Sequence, residues 1–148
     1  MRIAEALQTI RRVFLDTAPV IYYVERDPAY VSRVDPVFER LDAGLLLAAT
    51  SPVTLAECLV IPCRLGDVKA QQDFRDLVVN SAGVTFVPWG DAVAQSATEL
   101  RARHNLTLTD AFQVAAAIAG GCDALLTNDA GMRQVHEIKV LVLGDFEP

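Results

Sequence analysis

Four acidic residues stand where an isolated charge is unusual, next to or inside apolar stretches of the chain: Asp16, Glu57, Asp110 and Asp129. Carboxylates gathered at one place repel each other and raise each other's pKa, and a divalent cation removes that penalty. Oxygen ligands of this kind suit Mg²⁺ or Mn²⁺ better than zinc, which prefers histidine and cysteine. The set therefore predicts a Mg²⁺ or Mn²⁺ site. Asp16, Asp110 and Asp129 are the expected ligands, either directly or through water, and Glu57 is expected to bind metal or orient water.

The chemistry expected of such a site is hydrolysis of a phosphodiester bond. One or two bound ions activate a water molecule and stabilise negative charge on the leaving oxygen. The neighbouring residues Thr17 and Thr127 are expected to hydrogen-bond the carboxylates or the substrate. Asn128 is assigned to the same supporting group.

The elements that must position these acids read as alternating strands and helices. The predicted strands are Arg12–Leu15, Leu45–Thr50, Val84–Val87, Ala124–Thr127 and Lys139–Leu143. The predicted helices are Pro19–Glu25, Val34–Ala43, a helix from Ser51-Pro52 to Pro62, Asp67–Val79, Asp91–Arg103 and Thr109–Ala119. Such alternation predicts an α/β fold of three layers, with a five-stranded, mainly parallel sheet between helices. We expect residues 1–148 to form one domain, with Met1–Arg11 as an N-terminal extension or additional helix.

The predicted order of elements brings the four acids to one edge of the sheet. Open parallel sheets bind ligands beyond the carboxyl ends of their strands. Asp16 and Asp129 follow the first and fourth strands, and Glu57 lies one turn inside the helix that leaves the second. Asp110 lies at the start of the helix that precedes the fourth strand. Because this helix returns the chain to the beginning of that strand, the helix must start at the same carboxyl edge of the sheet.

Each acid also has an ordinary structural explanation. Asp16 is compatible with a turn, and Asp110 with a charge that the helix dipole favours. Asp129 lies in an Asn-Asp-Ala-Gly sequence, a common turn composition. The predicted convergence of all four acids favours a functional site over these separate explanations.

Composition limits the remaining possibilities. Hydrophobic residues make up 52% of the chain, which argues against disorder, and the net charge of −6 argues against binding nucleic acid through bulk positive charge. No apolar run is long enough to span a bilayer, and the N-terminus lacks a signal-peptide pattern.

Three cysteines without framework spacing fit a reducing cytoplasm and are interpreted as small buried side chains. His104 and His136 are interpreted as surface residues, and Arg11-Arg12 as solvated charges.

Four segments, in this order and spacing, resemble a known family. They are Phe14-Leu15-Asp16-Thr17, Ser51-Pro52-Val53-Thr54-Leu55-Ala56-Glu57, Leu108-Thr109-Asp110-Ala111 and Leu125-Leu126-Thr127-Asn128-Asp129. Together they resemble the PIN-domain proteins, most closely the VapC-type toxins of toxin–antitoxin pairs. The resemblance implies a Mg²⁺- or Mn²⁺-dependent endoribonuclease, a frequent homodimer and a small partner protein that inhibits it. We expect that antitoxin to be basic. The family's acidic positions correspond to Asp16, Glu57, Asp110 and Asp129.

The sequence fits two other function classes less well. A non-catalytic PIN-like module that binds RNA or protein would be favoured if one of the four acids were missing, and none is. A phosphoryl-transfer domain built on Asp16 would require a further acid close to it, and Ala18 stands where one phosphatase class has its second aspartate.

Overall fold

The computed structural model describes all residues from Met1 to Pro148 and contains one five-stranded sheet. The strands are β1 (Arg12–Leu15), β2 (Leu47–Thr50), β3 (Val84–Phe86), β4 (Ala124–Thr127) and β5 (Lys139–Val142). They lie in the order β3-β2-β1-β4-β5, and every pair is parallel. The predicted α/β fold with a parallel sheet is confirmed.

Seven α-helices surround the sheet. They are α1 (Ile3–Ala6), α2 (Thr17–Glu25), α3 (Val31–Asp42), α4 (Pro52–Leu65), α5 (Val68–Arg75), α6 (Asp91–Arg103) and α7 (Leu108–Ala119). Shorter 3₁₀ turns follow α1, β4 and β5. None of the helices has both the length and the apolar character needed to cross a bilayer.

The central strand β1 separates two hydrophobic clusters because successive side chains of a strand point to opposite faces. Val13 and Leu15 pack in a cluster that also holds buried residues of α1 to α5. Phe14 packs on the other side with α6 and α7. Helices therefore cover both faces, as three layers require.

The strand order has a switch point at β1. The chain proceeds from β1 to β2 and β3 on one side, then returns to β4 and β5 on the other. A crevice opens at such a point beyond the carboxyl ends of the strands. Leu15, the last residue of β1, pairs with Leu126 of β4, so the next residues of both strands emerge at this crevice.

Some element boundaries differ from the sequence prediction. β2 begins at Leu47, two residues later than predicted, and Leu45 is largely exposed. α4 does not end at Pro62 but continues to Leu65, with Pro62 buried on its inner face. The helix ends where Gly66 adopts a left-handed conformation (φ 65°), which glycine accommodates without steric cost. The predicted helix 67–79 is split into α5 and a wider helical turn, Asp76–Asn80.

The first eleven residues belong to the folded structure. α1 and the 3₁₀ turn that follows it place Ile3, Leu7 and Ile10 in the core. Glu147 forms an isolated bridge with Arg2, so the two ends of the chain lie side by side.

Candidate active site

Asp16 lies at the switch point, directly after β1. Its backbone N–H donates to the carbonyl of Leu126 (3.0 Å), which extends the β1–β4 ladder by one residue and fixes where the side chain leaves the backbone. Asp16 also precedes α2 as its N-cap residue, but its carboxylate makes no hydrogen bond to that helix. The side chain is therefore held by other elements.

Thr127 and Gln113 hold the Asp16 carboxylate from two sides. Thr127, fully buried at the end of β4, donates from Oγ1 to Asp16 Oδ2 (2.8 Å). Gln113, buried in α7, donates from Nε2 to Asp16 Oδ1 (3.2 Å). Because these partners sit in a strand and a helix of the core, the carboxylate is held in a fixed orientation.

The buried partners of Gln113 were not identified from the sequence. Ser51, the N-cap residue of α4, donates to the side-chain oxygen of Gln113. Gln113 Nε2 also donates to Thr54 Oγ1 (3.1 Å), and Thr54 in turn donates to the carbonyl of Leu15 (3.1 Å). The sequence does contain one indication of this contact: Gln113 is the only polar residue in the apolar segment 111–119. A buried amide needs hydrogen-bond partners, so such a residue indicates a polar contact in the core.

Asp129 is placed by the same threonine. Its backbone N–H donates to Thr127 Oγ1 (3.1 Å), so that one hydroxyl bonds to both Asp129 and Asp16. Asp129 Oδ1 accepts from the N–H of Gly131 (2.8 Å) at the start of a 3₁₀ turn, and the side chain is exposed.

Glu57 is exposed on α4 and is paired with Thr17. The Thr17 hydroxyl donates to Glu57 Oε1 (2.7 Å), joining α2 to α4 next to Asp16. Asn128 makes different contacts: its amide donates to Tyr22 Oη (3.1 Å) and accepts from the N–H of Gly144 (3.0 Å). Thr17 and Thr127 thus contact the acids directly, and Asn128 braces the loop that carries Asp129.

Asp110 is half-buried in the first turn of α7. Its backbone N–H donates to Oγ1 of Thr107 (3.1 Å), the residue that caps this helix. Burial raises the pKa of Asp110 above its ordinary value, and a hydrogen bond with Thr107 opposes this. The negative charges of Asp129, Asp16 and Glu57 raise that pKa further. The four predicted acids therefore share one electrostatic environment.

Comparisons with known proteins identify the family of this chain. The family model described as PIN domain matches residues 13–138, which includes all four acids. The chain belongs to the PIN domain family. Among proteins with curated descriptions, none matches it.

Solved structures with the same fold include several toxin–antitoxin proteins. A structure of VapBC2 from Rickettsia felis bound to a promoter DNA fragment is 17% identical, with a TM-score of 0.67, and the match covers 88% of this chain and 98% of that one. A toxin–antitoxin complex from Klebsiella pneumoniae is also 17% identical, with a TM-score of 0.64 and coverages of 88% and 97%. VapC20 of Mycobacterium tuberculosis, described as a toxin that cleaves the sarcin–ricin loop, is 20% identical, with a TM-score of 0.60 and coverages of 76% and 86%.

The donor set of this PIN domain fits a hard divalent cation. None of the ion pairs in the structure involves Asp16, Glu57, Asp110 or Asp129, so their charges have no cationic side chain to offset them. No three of these carboxylates have oxygens within 4.8 Å of one another. A Mg²⁺ ion here would therefore be bound directly by one or two carboxylates and would keep several water ligands.

Three interpretations of other side chains need correction. The side chain of His104 is only 8% exposed and is paired with Glu137, so it is not a surface histidine. Arg12 is half-buried, and its guanidinium donates to the carbonyl of Gly120 (2.9 Å), the residue that follows α7, so it is not a fully solvated charge. Cys63 is exposed on the outer face of α4, whereas Cys58 is buried as predicted.

Proposed function

We propose that this PIN domain is a Mg²⁺- or Mn²⁺-dependent endoribonuclease. The observation that carries the proposal is the group of four carboxylates at the switch point, without a cationic partner and held by uncharged hydrogen-bond donors. A bound divalent cation would supply Lewis-acid stabilisation and an activated water. Asp16, Asp110 and Asp129 would hold it, directly or through water ligands, and exposed Glu57 would bind metal or orient water.

The chain's own residues preorganise this site. Thr127 and Gln113 each donate a hydrogen bond to a different oxygen of Asp16, and each oxygen keeps a further lone pair that can accept from water or bind a cation. Thr17 fixes one oxygen of Glu57 and leaves the other oxygen without a partner in the chain. Such preorganisation lowers the reorganisation needed when charge develops during hydrolysis.

We also propose that the protein is the toxin of a toxin–antitoxin pair acting on RNA in the cytoplasm. Support comes from the fold, which it shares with VapBC structures, and from surface chemistry. An arginine of a small basic antitoxin would pair with the acidic group, since guanidinium binds carboxylates in a bidentate manner. Apolar side chains exposed at the end of α4 and the start of α5 provide a surface for the rest of such a partner: Val60, Ile61, Leu65 and Val68. A homodimer is expected as well.

The test of the nuclease proposal is cleavage of a panel of structured RNAs by purified protein with Mg²⁺ or Mn²⁺ and with excess EDTA. Asp16→Asn, purified identically, should be inactive, whereas Asp73→Asn, an exposed acid on α5, should retain activity. Sequencing the 5′ ends of the fragments identifies the cleaved site. Equal cleavage in EDTA, or by the Asp16→Asn protein, would contradict the proposal, and binding without cleavage would favour a non-catalytic module.

A further inference from the structure

A second group of metal-binding side chains lies outside the acidic crevice. It consists of His104, at the end of α6, with His136 and Glu137, which precede β5. One ligand atom from each of the three lies within 4.8 Å of the others, and this is the only such trio of histidine, cysteine or acidic residues in the structure. His104 Nε2 is 2.8 Å from Glu137 Oε1, and His136 Nδ1 is 3.8 Å from the same oxygen.

Two hydrogen bonds connect the chain segments that carry these residues. Asn105 N–H donates to Gln134 Oε1 (2.8 Å), and Gln134 Nε2 donates back to the Asn105 carbonyl (3.0 Å). Val135 and Ile138 flank the pair 136–137 and are both buried in the core. The backbone positions of the three residues are therefore set by core packing and by two backbone-to-side-chain hydrogen bonds.

We propose that His104, His136 and Glu137 form a binding site for Zn²⁺ or a similar divalent metal ion, separate from the acidic crevice. Two imidazole nitrogens and one carboxylate are a ligand set that Zn²⁺ takes in tetrahedral sites, with water in the fourth position. Mg²⁺ prefers an all-oxygen set, so the two sites would sort ions by ligand chemistry. This proposal does not depend on the nuclease activity.

The geometry requires only a small adjustment. Ligand atoms about 2.0–2.1 Å from a tetrahedral ion lie roughly 3.4 Å apart, so the His104–Glu137 contact would open by about half an ångström. His136 can supply the further movement because its side chain is 80% exposed. Arg103, which is 3.4 Å from Glu137 Oε2, is 57% exposed and free to turn towards solvent.

The competing explanation is that His104 and Glu137 are only a structural ion pair. Burial raises the pKa of Glu137, but hydrogen bonds from His104 and from backbone N–H groups outweigh it and leave that pKa below its ordinary value. His136 distinguishes the two explanations. Its exposed side chain adds little to a structural pair, whereas it is required as the third ligand of a metal.

The experiment measures Zn²⁺ binding to EDTA-stripped full-length protein by calorimetry, and Co²⁺ binding by visible absorption. We expect one equivalent of Zn²⁺ to bind in the Asp16→Asn protein, and an intense tetrahedral Co²⁺ spectrum that an all-oxygen octahedral site does not give. His136→Ala should weaken Zn²⁺ binding at least tenfold while its melting temperature without metal stays unchanged. His136→Asn, tested in parallel, should weaken binding to a similar degree.

Cys63→Ser is the matched control for an exposed thiol that also binds zinc, and it should leave the affinity unchanged. Zn²⁺ affinity that is unaltered by both His136 substitutions would overturn the proposal. Loss of zinc binding in Cys63→Ser or Asp16→Asn, with the His136 variants intact, would overturn it as well, since the ion would then belong to another site.

Discussion

Gln113 Nε2 donates a hydrogen bond to Asp16 Oδ1 across 97 positions of sequence, joining the buried face of α7 to the end of β1. The same amide group accepts from Ser51 and donates to Thr54, so helix α4 is included in the contact. One buried glutamine therefore couples the packing of two helices to the orientation of the carboxylate at the switch point.

Gln113→Leu should lower both stability and activity. Leucine is similar in size to glutamine, but it leaves the buried hydroxyls of Ser51 and Thr54 without this hydrogen-bond partner. Each loss destabilises the fold by up to about 3 kcal/mol. It also removes one donor to Asp16, so RNA cleavage should fall more than the folded fraction does. Denaturant unfolding and cleavage rates measure the two effects. Gln72→Leu, an exposed glutamine on α5, is the control and should change neither.

Thr127→Val tests the hydroxyl that is shared by Asp16 and Asp129. The shape of the side chain is retained while the donor to Asp16 and the acceptor for the Asp129 N–H are both lost. We expect Mg²⁺ or Mn²⁺ affinity to fall about 10- to 100-fold, the usual effect of removing a group that orients a metal ligand. Titration calorimetry measures it. Thr85→Val, on the exposed side of β3, should keep the wild-type affinity, and an unchanged affinity in Thr127→Val would mean that Asp16 needs no such support.

Asp110→Asn should raise the melting temperature of the metal-free protein at neutral pH. Because the folded-state pKa of Asp110 is raised, the folded protein binds this proton more tightly than the unfolded chain does. The stability contributed by the protonated form is present below the unfolded pKa and is lost as pH rises through the folded pKa. The asparagine variant should thus gain stability over wild type at pH 7 in EDTA, and the gain should vanish at acidic pH.

Scanning calorimetry at both pH values, with and without Mg²⁺, checks this. Metal should stabilise wild type, which binds it in the folded state, more than it stabilises Asp110→Asn. Asp91→Asn, the exposed acid at the first position of α6, is the control and should show no gain. A lower melting temperature for metal-free Asp110→Asn at pH 7 would show that Asp110 acts mainly as a favourable charge at the start of α7.

Ile61→Asp should abolish binding of the proposed antitoxin without unfolding the protein. Ile61 is 59% exposed on α4, so the charge is tolerated in the free chain but would be desolvated in a complex. Co-purification from the native host measures partner binding. Ile118→Asp, at a 42% exposed position of α7, is the matched control and should still bind. Equal recovery of a small partner by both variants would place the interface elsewhere.

Local patterns in the sequence were sufficient for much of the fold. Short apolar runs, and Ser51-Pro52 as a helix start, identified strands and helices, because those signals act within a few residues. The parallel alternation then placed Asp16 and Asp129 at one edge, since the carboxyl ends of parallel strands share an edge. Exact boundaries were less accessible: Pro62 is accommodated inside α4 because packing of its buried face outweighs the lost hydrogen bond.

Contacts between distant side chains were decided only by the tertiary structure. The sequence singled out Asp16 by its place after a strand, but the pairing of Asp16 with Gln113 depends on how α7 crosses the sheet. His104 and Glu137 are 33 positions apart, and no local pattern indicates that the end of α6 meets the segment before β5. The burial of a single polar side chain depends on the packing of whole elements against each other, and that packing is a property of the complete chain rather than of any one segment.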